Sequence, residues 1–179
     1  MVVIKKLDNG VRVVLEEIEY VRSISFGIWV RNGSRNEQPE NNGMSHFIEH
    51  MLFKGTENRT ARQIAQEMDA VGGQINAYTT KEYTCYHTKV LDTHFDKALD
   101  VMSDMFLGSR FSQEDIQKER NVILEEISMY EDAPEELVHD ALQEAIWKDC
   151  SLGQPILGTA ETISKFDTAK MKNFFQKQY

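Results

Sequence analysis

Two histidines four residues apart, with a glutamate beside them, have the spacing of a metal site on a helix. The residues are His46, Glu49 and His50. A helix advances 100° per residue, so these side chains fall within about 100° of one another, and the imidazoles project from one face about one turn apart. The opposite side of the segment is apolar: Met44, Phe47, Ile48, Met51 and Leu52. The pattern predicts a helix that buries one face and presents both imidazoles to a single ion.

This spacing favours a catalytic zinc ion over a structural one. Catalytic zinc has three protein ligands and keeps a fourth position for water, whereas structural sites are closed by four. Glu49 would then be the base that takes a proton from water. The alternative is a solvated helix face, or two histidines with structural hydrogen bonds. With five histidines in the chain, a chance match of this pattern is uncommon.

A third ligand has to come from elsewhere, and the best source is the predicted helix Gln113–Tyr130. Its buried face is defined by residues that share one direction: Ile116, Ile123, Ile127 and Tyr130. Glu119 and Glu126 lie beside this face, whereas Glu125 points to water. A carboxylate near the core needs a cationic partner, and a metal ion is one such partner. The helix geometry therefore selects Glu126 or Glu119. The alternative is that either glutamate pairs with a cation of this helix or another.

The elements that must position these residues divide into early strands and later helices. Alternating or β-rich runs predict five strands: Val2–Leu7, Val11–Glu16, Ser23–Val30, Gln74–Thr79 and Tyr83–Val90. Asp8-Asn9-Gly10 predicts a hairpin turn with positive φ angles between the first two strands. Strands gathered early and helices gathered late are typical of an α+β fold, a mostly antiparallel sheet covered by helices.

Helical periodicity begins at Gly43. A second helix is predicted over Ala61–Val71, capped by Thr60 and ended by Gly72-Gly73. A third is lined by Phe95, Leu99, Met102 and Phe106. The remaining helix starts are marked by a residue that caps a helix or by a proline: Ser112 with Asp115, Pro134, and Asp167 or Thr168.

Composition limits the class of protein. The chain has 179 residues, 41% hydrophobic and 27% charged, so we expect one domain over residues 1–179. A net charge of −9 with scattered cations favours neither nucleic acid nor a membrane surface as a partner. No apolar run reaches the roughly 18 to 20 residues of a membrane span, and the start lacks a signal-peptide layout. We expect a cytoplasmic protein, or one of the mitochondrial matrix if a presequence was removed.

The cysteines predict no redox or metal chemistry. Cys85 and Cys150 form no CxxC pair, so we expect reduced thiols in packed surroundings. Cys85 and His87 share a strand face, two residues apart. Because no second pair of ligands complements them, we expect a structural role for both.

Four segments together resemble the pitrilysin/insulinase family of zinc proteases. They are HFIEHMLFKGT at His46–Thr56, GGQINAYT at Gly72–Thr79, ERNVILEEI at Glu119–Ile127 and LGT at Leu157–Thr159. Within the family, the sequence is most similar to the catalytic subunit of mitochondrial processing peptidase and to its bacterial homologues. The resemblance covers nearly the whole chain.

The resemblance implies a role for each site residue. The family's distant glutamate ligand corresponds to Glu126, 76 residues after His50, so one Zn²⁺ per chain would be held by His46, His50 and Glu126. Glu119 resembles the accessory glutamate that assists catalysis, and Glu49 the general base. A further segment resembles the edge strand to which an extended polypeptide substrate adds: Asn76, Ala77, Tyr78 and Thr79.

The resemblance also implies a partner. Active members consist of two similar halves, the first with zinc and the second closing over the substrate, and this chain supplies the first. We expect a fragment or a subunit that works with a C-terminal half, with a partner subunit or as a homodimer, and that is poorly active alone. One alternative is a non-catalytic scaffold or peptide-binding subunit, although the metal motif is intact. Another is a zinc hydrolase of non-peptide substrates.

Overall fold

The computed structural model describes residues 1–179 and contains five strands. They are β1 (Val2–Lys6), β2 (Arg12–Glu16), β3 (Ser23–Val30), β4 (Gln74–Thr79) and β5 (Thr84–Leu91). Each lies within one residue at either end of the predicted span. β1 and β2 form an exposed two-stranded hairpin, with Lys6 opposite Arg12. The positive φ angle in its turn lies at Gly10 (φ 92°) and not at Asn9, whose side chain instead accepts the Val11 N–H.

The other three strands form one antiparallel sheet in the order β3-β5-β4. Thr84 of β5 lies opposite Val30 of β3 on one side and opposite Thr79 of β4 on the other, so β5 is the central strand. β4 pairs with β5 alone, and its other edge is free within this chain. The prediction of a mostly antiparallel sheet is confirmed.

Seven α-helices follow or separate these strands. They are α1 (Met44–Leu52), α2 (Ala61–Ala70), α3 (Phe95–Gly108), α4 (Gln113–Glu131), α5 (Pro134–Ile146), α6 (Ala160–Ile163) and α7 (Thr168–Gln178). The predicted caps are present: Thr60 accepts from the Gln63 N–H, Ser112 from that of Asp115, and Asp167 from that of Lys170. Pro134 occupies the first turn of α5. These helices and the sheet make the α+β fold that the sequence predicts.

The helices cover one face of the sheet and bury two apolar clusters. The larger joins α1 and α4 to the sheet and to α7, and includes Phe47, Tyr86, Ile116, Ile123 and Met171. The smaller joins α2, α3 and β5, and includes Ile64, Met68, Val90, Val101 and Met105. The opposite sheet face is more open, with Trp29 61% exposed. The metal-motif helix is therefore embedded in the larger core.

Two predictions about packing are wrong. Leu99 does not line the buried face of α3. The face that packs on α2 and the sheet contains Ala98 and Val101 instead, and the pattern of larger apolar residues did not indicate these smaller ones. Cys150 is exposed, since it lies between α5 and the next short turn, whereas Cys85 is buried in β5. Both thiols are free, as predicted.

None of the helices combines the length and the apolar character that crossing a lipid bilayer would require.

Candidate metal centre

The N-terminus of α1 is fixed by a buried carboxylate. Glu37 is 2% exposed, and its oxygens accept the N–H groups of Gly43 (2.8 Å) and Ser45 (2.7 Å). These are donors that the first turn of a helix leaves unpaired. Burial raises the pKa of Glu37, and the hydrogen bonds from Ser45 and Gly43 oppose that change. The carboxylate therefore sets where the helix begins.

Gly43 is required at the same place by conformation and by space. Its φ of +89° is left-handed, and a Cβ there would lie 2.6 Å from the carbonyl oxygen of Leu157. From this start, all five residues of the predicted apolar stripe of α1 are buried. His46, Glu49 and His50 consequently face away from the core, toward α4 and β4.

The structure brings His46, His50 and Glu126 together. The Oε2 atom of Glu126 lies 3.8 Å from His46 Nε2 and 3.5 Å from His50 Nε2, and one ligand atom from each residue lies within 4.8 Å of the others. Bonds of about 2.1 Å in a tetrahedral zinc site separate ligand atoms by about 3.4 Å. Glu125, which the sequence placed toward water, is exposed. Of the two candidate glutamates, Glu126 is therefore the one whose carboxylate lies near the Nε2 atoms of both histidines.

Glu119 contacts the other side of the His50 ring. Its Oε2 atom lies 3.2 Å from His50 Nδ1, and its Oε1 atom lies 2.7 Å from the Lys54 ammonium. The Glu119 side chain is only 7% exposed. It pairs with Lys54 rather than with a cation of its own helix, because Lys118 pairs with Glu114 and Arg120 donates to the Phe166 carbonyl.

Hydrogen-bond chemistry shows that the cluster fits a cation. A carboxylate only accepts, so Nδ1 of neutral His50 carries the proton that faces Glu119, and Nε2 directs a lone pair at Glu126, which is also an acceptor. Burial lowers the pKa of His46 to about 3, with His50 adding to the effect, so His46 supplies no positive charge. Its Nδ1 is buried without a hydrogen-bond partner. A cation bound by both Nε2 atoms and the Glu126 carboxylate would remove this contact between acceptors.

Glu49 lies on the same helix face but belongs to a different hydrogen-bond pair. Its Oε2 atom accepts the Thr79 hydroxyl at 2.6 Å. Burial raises the pKa of Glu49; the Thr79 hydrogen bond and His50 lower it, and Glu126 raises it. Oε1 remains available. The arrangement suits a base whose orientation is fixed through one oxygen while the other exchanges a proton.

The free edge of β4 lies beside this base. The Thr80 N–H donates to the Tyr83 carbonyl, so the backbone groups of Thr80 face β5. Backbone hydrogen bonds to one neighbour come from every second residue of an antiparallel strand, so the backbone groups of Tyr78 and Asn76 also face β5. Those of Ala77 face the free edge, where its N–H donates to the Asn76 side chain at 2.8 Å. The Tyr78 side chain contacts Tyr83 and His87 on the open sheet face.

Sequence reasoning missed two contacts of the site. Lys54 follows the helix that carries His50, but nothing in its spacing distinguishes it from the other lysines of the chain. Thr79 was proposed as a substrate contact, and its hydroxyl also binds Glu49. Both pairs join residues distant in sequence, so only three-dimensional structure could reveal them. Glu37, which caps the metal-motif helix, was also missed, because it lies six and eight residues before its donors and a capping box spans only three.

Comparison with known proteins supports the metal motif. Residues 12–160 match the family described as Insulinase (Peptidase family M16). The chain is 53% identical over 171 residues to a Bacillus subtilis protein named uncharacterized zinc protease YmxG, covering 96% of this chain and 42% of that protein. It is 47% identical over 173 residues to the uncharacterized zinc protease SCO5738 of Streptomyces coelicolor, covering 97% and 38%. The chain therefore spans about two fifths of the length of these relatives.

Solved structures share the fold. A Helicobacter pylori protease superposes with a TM-score of 0.95 at 24% identity, covering all of this chain and 44% of that one. A Pseudomonas fluorescens domain, described as a peptidase M16 inactive domain, superposes with a TM-score of 0.91 at 17% identity, covering 98% and 43%. The family match over most of the chain and the identity to zinc proteases agree with the clustered His46, His50 and Glu126. The chain belongs to the insulinase family, peptidase family M16.

Proposed function

We propose that this chain carries the catalytic zinc site of an endopeptidase that cleaves extended or unfolded polypeptides. The observation that carries the proposal is the placement of His46, His50 and Glu126 in one cluster, with Glu49 on the same helix face and hydrogen bonded to the free-edge strand β4. Ligands, base and a strand edge that could bind peptide thus lie together. A non-catalytic scaffold subunit would not need these ligands and this base to be intact.

Metal binding is assigned to the two Nε2 atoms and the Glu126 carboxylate, with one zinc per chain. When bound, zinc supplies Lewis acidity, which lowers the pKa of water and polarises a carbonyl group. His50 is held for this role by Glu119, which fixes the ring and its tautomer. We assign Glu119 this supporting part in catalysis rather than a place among the ligands.

Glu49 is assigned the proton transfers. Oε2 is held by Thr79, which leaves Oε1 to take a proton from water and later to deliver it to the leaving amine. The carboxylate is not a ligand, so it stays free to cycle between its two protonation states. The rise in its pKa that burial causes makes it a better proton acceptor.

The substrate is proposed to add to β4 as a further antiparallel strand. The outward N–H of Ala77 is a donor on the free edge, and a peptide would displace the Asn76 side chain that now accepts from it. Main-chain pairing reads no particular side chain, so the substrate class is extended polypeptide, presequence-like peptides included. Tyr78, on the open face, would flank such a strand.

The rest of the longer protein, or a partner subunit of the same family, is proposed to close over this site. The relatives are more than twice as long as this chain, as the 42% and 38% coverage show. An oxyanion donor and exclusion of water are needed for efficient hydrolysis, and removing one such donor costs about 10² to 10³ in rate. The 179-residue chain alone should therefore bind zinc and hydrolyse peptides poorly. A cytoplasmic location remains our expectation.

The test is metal analysis combined with cleavage of a quenched peptide by the full-length protein. We expect one zinc per chain, hydrolysis that a chelator stops, and faster cleavage of denatured than of folded proteins. Glu126→Gln should lose zinc, and the exposed neighbour Glu125→Gln is the matched control. Normal zinc content in Glu126→Gln, or equal cleavage of folded and denatured proteins, would contradict the proposal.

A further inference from the structure

We infer that Lys54 is a positioning residue for the metal site, acting through Glu119 on His50; the inference rests on the proposed function and extends it. The three side chains form a continuous series. Lys54 Nζ lies 2.7 Å from Glu119 Oε1, and Glu119 Oε2 lies 3.2 Å from His50 Nδ1. Lys54 touches neither the proposed ligand atoms nor Glu49, so it acts only through the carboxylate between.

The first step concerns the charge of Glu119. Its side chain is 7% exposed, and a carboxylate so far removed from water needs a cation. Two groups lie within ion-pair distance of it, Lys54 and His50. If His50 is neutral, as a metal ligand must be, Lys54 is the cation that compensates the carboxylate.

The second step concerns orientation. The two oxygens of Glu119 have separate partners, so the Lys54 hydrogen bond to Oε1 determines the direction in which Oε2 faces the ring. Oε2 can only accept, which places the proton of neutral His50 on Nδ1 and leaves Nε2 as the metal-binding nitrogen. Without Lys54, the carboxylate loses the contact that holds it in this orientation.

The third step concerns rigidity. The N–H of Lys54 donates to the Met51 carbonyl at 3.1 Å, and that of Phe53 donates to the His50 carbonyl at 3.2 Å. The lysine is thus tied to the last turn of the helix that carries His50. Its ammonium reaches α4, so the series Lys54–Glu119–His50 links the end of α1 to α4 at the site. A pair of this kind fixes two elements relative to each other.

The experiment compares Lys54→Met and Lys54→Arg in the full-length protein. The control is Lys118→Met, which removes a lysine–glutamate pair of similar length (2.6 Å) on the exposed face of α4. Zinc affinity is measured by competition with a chelating dye. The tautomer of His50 is read in the metal-free protein from the ¹⁵N shifts of its ring. Neither readout depends on peptide hydrolysis, so failure here is distinguishable from failure of the proposed function.

We expect Lys54→Met to weaken zinc binding about 10-fold, the lower end of the 10- to 100-fold range for direct partners of metal-bound histidines, and to mix the tautomers of His50. Lys54→Arg should restore much of both, and Lys118→Met should change neither. Wild-type affinity and an unchanged tautomer in Lys54→Met would overturn the inference. If Lys54→Met does not fold, the wild-type spectrum still decides, because a metal-free His50 with no proton on Nδ1 would also overturn it.

Discussion

Replacing Thr79 with valine should impair catalysis while leaving metal binding intact. The Thr79 hydroxyl donates to Glu49 Oε2 at 2.6 Å, and valine keeps the branched shape while removing the donor. A hydrogen bond to a charged group is worth about 1.5–3 kcal/mol. Since 1.36 kcal/mol is a tenfold change in rate, kcat should fall roughly 10- to 150-fold if the bond is needed throughout the reaction. KM should change little, because the outward backbone of β4 is unaltered.

The same substitution should move the acid limb of the pH–rate profile. The Thr79 hydrogen bond lowers the pKa of Glu49 against the larger, opposite effect of burial, so its loss raises that pKa further. Glu49 acts as a base in its ionised form, and the acid limb should therefore shift to higher pH. Thr79→Ser keeps a hydroxyl and should retain most of the wild-type rate.

The assay is steady-state cleavage of a quenched peptide by the full-length protein across a pH series, with zinc content measured for each variant. Thr88→Val is the matched control. That threonine lies in β5 and donates to the Gln74 carbonyl at 2.8 Å, away from Glu49, so its loss should cost stability but not kcat. A Thr79→Val enzyme with wild-type kcat and an unmoved acid limb would refute the role assigned to this hydrogen bond.

Three other predictions test the roles assigned to the metal ligands and the base, to the edge of β4 and to the residue that caps α1. Glu49→Gln should keep zinc and abolish hydrolysis, whereas His50→Ala should lose both; zinc-free Glu49→Gln on elemental analysis would contradict the assignment. Ala77→Pro removes an outward N–H and should raise KM, whereas Tyr78→Pro removes a donor that faces β5 and should lower the melting temperature; the opposite pattern would place the peptide elsewhere. Glu37→Gln should lessen the pH dependence of stability. The folded-state pKa of Glu37 is raised, so its protonation favours folding below the unfolded-state pKa. This contribution to stability is lost as the pH rises through the folded-state pKa. Denaturant titrations should show that the wild type loses stability relative to the variant over that interval.

Much of the architecture follows from local sequence patterns. Alternation and turn residues predicted all five strands, and capping residues located the starts of α2, α4 and α7. These signals are reliable because each depends on neighbours a few residues away. Leu99 shows the limit: periodicity identifies a helix, but the phase of its buried stripe depends on what it packs against, and here Ala98 faces the core.

The candidate site divides in the same way. The i, i+4 spacing determined that His46 and His50 share a helix face with Glu49, because a helix of fixed pitch leaves them no other arrangement. Helix phase reduced the third ligand to Glu119 or Glu126 but could not choose between them. The resemblance to the family favoured Glu126, and the packing of α4 against α1 brings Glu126 near both Nε2 atoms and Glu119 near Nδ1 of His50.

The sequence by itself therefore determined the residue types, their order and the faces on which they lie, since these depend on local backbone geometry. The tertiary structure alone decided the partners: Lys54 for Glu119, Thr79 for Glu49, and Glu37 for the start of α1. It also decided that β4 has a free edge within this chain. The physical reason is that a hydrogen bond or ion pair between distant segments depends on how helices and sheet pack, and packing is a property of the whole core.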